Sequence, residues 1–143
     1  MRAGVSRESE LLNPTGSVSA AAVFTRVEMN TNAIYGLAVD GEFSTGKVET
    51  TVFDSIASGN VSKGFVAFSL PSQAPATLML FHSVAANNGT GLDAFGTGAT
   101  IRVAQSIVSG NANGWLGVVL SAGNNTIEGN ASNETAPPTY TMK

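Results

Sequence analysis

The sequence predicts an all-β chain, a right-handed parallel β-helix (solenoid) of about four to five coils. Three observations predict it. A seven-residue motif recurs as Asp54-Ser55-Ile56-Ala57-Ser58-Gly59-Asn60, His82-Ser83-Val84-Ala85-Ala86-Asn87-Asn88 and Gln105-Ser106-Ile107-Val108-Ser109-Gly110-Asn111, with a weaker copy over 26–32 and a truncated one over 126–130. Its closing asparagines, Asn32, Asn60, Asn88, Asn111 and Asn130, are separated by 28, 28, 23 and 19 residues, and a repeat of about 20–30 residues marks a solenoid. Only 12 % of the chain is charged, which suits a surface built from Asn, Ser, Thr and Gly turns.

Residues 1–16 stand apart from the repeats and are expected to form an N-terminal capping segment. Ser6 caps a short helix there, with Glu8 and Glu10 in its first turn, Leu11 and Leu12 on its apolar face and Pro14 beyond its end. Residues 17–130 carry the β-helix. Each repeat opens on an apolar strand, at 48–53, 78–81 and 101–104. The repeated motif then forms a corner. A glycine turn (Gly36, Gly64, Gly91, Gly114) leads into a second strand, at 37–39, 65–68, 92–95 and 115–120. Short apolar runs bounded by Gly and Asn favour strand over helix. Residues 131–143, with Pro137-Pro138, are expected to be an irregular tail.

Aligning the copies gives columns. Val52, Leu80 and Val103 share one, Thr50, Leu78 and Ile101 another, and Ile56, Val84 and Ile107 a third. All three are expected to point inward and stack at about 4.8 Å. Leu37, Phe65, Leu92 and Trp115 form a further apolar stack, so Trp115 reads as core before it reads as a sugar platform. The asparagine column is expected to be a structural ladder, hydrogen-bonded along the axis. Five Asn-x-Ser/Thr sequons begin at Asn60, Asn88, Asn124, Asn130 and Asn133; three are ladder positions, where a glycan would clash with stacking.

The motifs 54–60 and 105–111 resemble right-handed parallel β-helix repeats of the pectate-lyase-like superfamily, and 123–130 resembles the last coil of bacterial proteins of that type. The resemblance spans roughly 18–130. It implies the fold, and a polysaccharide or cell-surface glycan as ligand; the compartment stays open, a secreted or surface location being one alternative. Enzymes of that superfamily have more coils than are visible here, so the chain looks like a short member or a portion of one.

Composition narrows the chemistry. Seven basic residues against ten acidic ones give a net charge of −3. The basic residues are scattered, so no nucleic-acid groove is expected. No apolar run approaches a membrane span, and no membrane is expected as partner. There is no cysteine. No aligned column holds paired carboxylates, which glycoside hydrolysis needs about 5–10 Å apart, and Asp54 has no acidic neighbour in its column for calcium. No metal, cofactor or catalytic residue is therefore expected. His82, the one histidine, shares a column with Arg26, Asp54 and Gln105. Asp54 and His82 are read either as a dyad or as part of an exposed polar ladder on one sheet.

The first two repeats carry insertions, 40–47 and 69–75, expected to project from one side; such insertions often carry the binding face. Asp40, Glu42 and the aromatic Phe43 lie on the first. With Asp54 and His82 they are the candidate ligand-binding residues. The expected function is a non-catalytic module, structural or glycan-binding. A carbohydrate-active lyase or hydrolase, whole or fragment, is one alternative. A self-assembling structural solenoid is the other. Little apolar sequence precedes Val18, Ala20, Ala22 and Phe24 to cover the first coil, so a homo-oligomer through the N-terminal coil is expected.

Overall fold

The computed structural model describes residues 10–141. These form an all-β solenoid of about four turns, with three parallel five-stranded sheets and no helix. The first sheet contains β1 (Glu10–Leu12), β4 (Tyr35–Asp40), β7 (Lys63–Phe68), β10 (Thr90–Phe95) and β13 (Asn113–Gly117). The second contains β2 (Ala20–Thr25), β5 (Val48–Phe53), β8 (Ala76–Phe81), β11 (Ala99–Ala104) and β14 (Val119–Ser121). The third contains β3 (Glu28–Asn30), β6 (Ile56–Ser58), β9 (Val84–Ala86), β12 (Ile107–Ser109) and β15 (Thr126–Glu128).

The repeat alignment becomes strand register. Val52 pairs with Leu80 and Leu80 with Val103; Thr50, Leu78 and Ile101 align likewise. All six are buried. The Thr50 hydroxyl has no hydrogen-bond partner there. Leu37, Phe65 and Leu92 stack fully buried across β4, β7 and β10. Trp115 continues their column, half-buried against the core, and its Nε1 donates to the Thr135 carbonyl at 2.8 Å.

Three expectations about the strands are corrected. The motif is not a bare corner: its middle three residues are strands of the third sheet. In a three-residue strand only the central side chain faces inward. The buried column is therefore Met29, Ala57, Ala85 and Val108, while Ile56 and Ile107 are exposed. Leu11 and Leu12 belong to β1, paired with Ala38 and Val39, and not to a helix; a parallel neighbour already offering a ladder outweighs a single helical turn. Ser6 and Glu8 lie outside the described residues. The run 115–120 is two strands, broken at Gly117 (φ 77°), where the chain turns from the first sheet to the second without an insertion.

The two insertions lie on one side, each between a first-sheet strand and a second-sheet strand, and they stack on one another. Gly41 N donates to the Phe68 carbonyl and Ala74 N to the Ser44 carbonyl, both at 2.9 Å. Ser44 and Ala74 are buried.

The tail, though free of strands, lies along the last coil. Gly114 N donates to Ser132 O and Ser121 N to Pro138 O, each at 2.8 Å. The Tyr140 ring packs beside Arg102 and Met79 on the second sheet.

Candidate functional site

The polar columns of the motif build two corners with one rule: a residue of positive φ, then a buried polar residue whose side chain bonds the neighbouring coil. Between the third and first sheets the positive-φ residues are Thr31, Gly59, Asn87, Gly110 and Gly129. The buried ones are Asn32, Asn60, Asn88, Asn111 and Asn130. The Oδ1 of Asn88 accepts from Asn60 N (3.0 Å) and Asn60 Nδ2 (2.9 Å), and its Nδ2 donates to Asn111 Oδ1 and the Ala57 carbonyl, both at 3.0 Å. The same bonds recur at the neighbouring steps. The asparagine ladder is thus a continuous hydrogen-bonded file with carboxamides shielded from water.

The glycine column follows from it. Gly64 and Gly91 lie inside strands, not turns. A Cβ on Gly91 would stand 2.8 Å from Asn111 Nδ2 and 2.7 Å from the Gly114 carbonyl; on Gly64, 2.8 Å from Asn88 Nδ2. Glycine is needed there for close approach.

Between the second and third sheets the positive-φ residues are Arg26, Asp54, His82 and Gln105, with φ of 55°, 50°, 50° and 48°. The buried residues behind them are Ser55, Ser83 and Ser106. Each serine Oγ accepts a backbone N–H from the coil before, from Val27, Ser55 and Ser83 in turn, at 3.1–3.2 Å. Each also donates to the carbonyl two residues back. Asn125 takes the serine role at the last coil, accepting from Ser106 N at 2.9 Å. In the sequence this second ladder shows only as a column of small residues.

Asp54 and His82 meet through Oδ1 and Nδ1 across adjacent coils. They sit at the corner in left-handed backbone, and not within a sheet as expected of a polar ladder. Ser55 and Ser83 point their Oγ into the ladder, so no hydroxyl there is placed as a nucleophile for this pair. The depression around Asp54, His82, Gln105 and Ile107 holds about 390 Å³. Beside it, Phe53 and Phe81 stack on the second sheet, ring centroids 5.3 Å apart.

A larger concavity lies on the outer face of the first sheet, and it contains two of the candidate residues. It is a trough of about 670 Å³ lined by Leu11, Ile34, Tyr35, Ala38, Asp40, Glu42, Lys63, Val66, Phe68 and Phe95. Its floor is the row Ala38 and Val66, aligned by register. One wall is the row Asp40, Phe68 and Phe95 at the strand ends. The two phenylalanine rings stack at 5.3 Å and 5°. The other wall is Ile34, Tyr35 and Lys63 at the strand beginnings. Lys63 Nζ pairs with the Asp93 carboxylate and lies 5.7 Å from the centre of the Phe95 ring. Asp40 Oδ1 accepts the Glu42 N–H at 2.7 Å, and its Oδ2 accepts from Asn13 Nδ2 at 3.4 Å.

The candidate residues therefore fall in three places. Asp40 and Glu42 line the trough. Phe43 is exposed on the insertion but is not part of the lining. Asp54 and His82 belong to the other corner. The Phe68–Phe95 pair escapes the sequence reading, because its members stand at the ends of strands followed by connections of different length. The signal is present in the alignment: Asp40, Phe68 and Phe95 are separated by 28 and 27 residues.

Among the described residues no three His, Asp or Glu side chains converge as a metal centre would need. Fold and site define the class, a parallel β-solenoid with an open, aromatic-lined trough. Comparison with protein-family models, curated proteins and solved structures finds no match to this chain.

Proposed function

We propose that this chain is a non-catalytic solenoid module that binds a polysaccharide or cell-surface glycan in the trough of the first sheet. The observation that carries the reading is the trough itself. Stacked aromatic rings present an apolar platform beside convergent carboxylates and a lysine, the mix of apolar lining and few polar groups that small-molecule and sugar sites share. Ring faces pack against the C–H surfaces of a sugar, and Asp40 and Glu42 offer acceptors to its hydroxyls. A trough running across the coils suits an extended polymer. Kinship with the pectate-lyase-like superfamily belongs to the same proposal, supported by the resemblance of the repeated motif.

The test is retention on insoluble polysaccharides. Wild type is expected to be retained, Phe68→Ala to elute freely, and Phe53→Ala, on the other aromatic stack, to behave as wild type. Equal retention of all three, or of none, overturns the reading.

A second reading, self-association through the N-terminal coil, has its own observation. Among the described residues β2 pairs on one side only, and its inward residues Ala20, Ala22 and Phe24 are half-exposed where their β5 counterparts Val48, Thr50 and Val52 are buried. An unpaired edge with apolar side chains beside it invites another edge. Sedimentation over a wide concentration range tests it: one species of 14.5 kDa throughout rejects it.

A further inference from the structure

We infer that the trough takes an amine-bearing glycan and turns away anionic ones. The inference rests on the reading of the trough as a glycan site and adds the charge of its ligand.

Four charged groups among the described residues bear on the trough. Lys63 is the cation, and Asp93, on the strand beside it and buried at 4 % exposure, already neutralises that charge. The ion pairs among the described residues are Lys63–Asp93 and Asp54–His82, so neither Asp40 nor Glu42 has a cationic partner within that set. Asp40 accepts there from uncharged donors, the Glu42 N–H and the Asn13 amide. The wall that carries Asp40 continues into the stacked faces of Phe68 and Phe95. With Lys63 neutralised by Asp93 behind it, Asp40 and Glu42 leave two uncompensated negative charges next to aromatic faces.

A uronate polymer would bring a carboxylate on every ring against that field, and the one lysine of the lining is already paired. A neutral sugar meets the platform without electrostatic gain. A protonated amino sugar gains twice, from the carboxylates and from the ring faces, whose quadrupole attracts cations.

The experiment measures affinity for three soluble probes, a glucosamine oligosaccharide, a neutral β-glucan oligosaccharide and a polygalacturonate oligosaccharide, with polylysine as a fourth. The wild-type protein and the double variant Asp40→Asn/Glu42→Gln are compared. The Asp40→Asn change keeps a side-chain oxygen to accept the backbone N–H of position 42, and matching melting temperatures establish the same fold. Glucosamine is expected to bind best. Its affinity should fall about three- to tenfold in the variant, from two partly exposed charge contacts, and fall again as salt is raised.

Polygalacturonate binding that Phe68→Ala abolishes overturns the charge selection and leaves the glycan trough standing. Equal glucosamine and glucan affinities, unmoved by the double variant and by salt, do the same. Polylysine binding as tightly as glucosamine overturns the sugar part of the inference. Binding of no glycan overturns the glycan reading, and the inference with it.

Discussion

The two corners of each coil obey one backbone rule and differ in what they bury. At the corner entering the first sheet, a carboxamide with two donors and a bifurcated acceptor is sealed at 2–6 % exposure. Three of its five positive-φ positions are glycine. At the corner entering the third sheet, a single hydroxyl does the bonding. There the positive-φ positions hold Arg26, Asp54, His82 and Gln105, side chains that carry steric strain in left-handed backbone. The first corner has been shaped inward, for cohesion between coils. The second keeps its long polar side chains in water, where paired charges contribute little. A buried column and an exposed column of equal regularity thus differ widely in what they do for stability.

That difference orders the expected effects of substitution. Gly91→Ala should be the most damaging. Its Cβ would press on both a backbone carbonyl and Asn111 Nδ2, and overpacking plus a broken ladder should cost about 3 kcal/mol or more, read from chemical denaturation. Asn88→Ala should cost about 2–3 kcal/mol, since it strands the Asn60 donors and the Ala57 carbonyl in a dry interior. Ser83→Ala removes one acceptor and one donor and should cost about 1 kcal/mol. A loss equal to that of Asn88→Ala would erase the contrast between the ladders. His82→Ala, at an exposed pair, should stay within about 0.5 kcal/mol. Assays of product release from polygalacturonate should read zero for wild type and for Asp54→Ala alike; activity lost in that variant would make the second corner a catalytic site.

The parts of the fold legible in the sequence are those with a long repeat. The asparagine spacing, the inward columns of the six-residue strands and the Leu37-to-Trp115 stack each involve residues that recur with strand alternation intact. The third sheet stays hidden because three residues between two left-handed positions carry no period. Hydrophobicity alone therefore sends Ile56 and Ile107 inward, while the true inward residues, Ala57 and Ala85, are too small to announce themselves. The glycine column is legible as glycine but not as a steric consequence of the asparagines. At the site, Asp40 and Glu42 stand out as acids on an insertion. The trough needs strand register to align Phe68 with Phe95, and Asp54 with His82 draws notice through rarity of residue type.

The ladder also has an electrical sense. Every carboxamide oxygen from Asn60 to Asn130 faces the preceding coil, and the Nδ2 groups of Asn32 through Asn111 each reach the following one. The amide dipoles therefore lie head to tail, negative end toward the chain's beginning, opposite in sense to an α-helix. In a low-dielectric interior such a file polarises itself, each bond strengthening the next. Its middle links, near Asn88, are reinforced from both directions, and its terminal links from one. Thermal opening should accordingly start at the ends and travel inward, leaving the central coils as the last part of the molecule to exchange their amide protons with water.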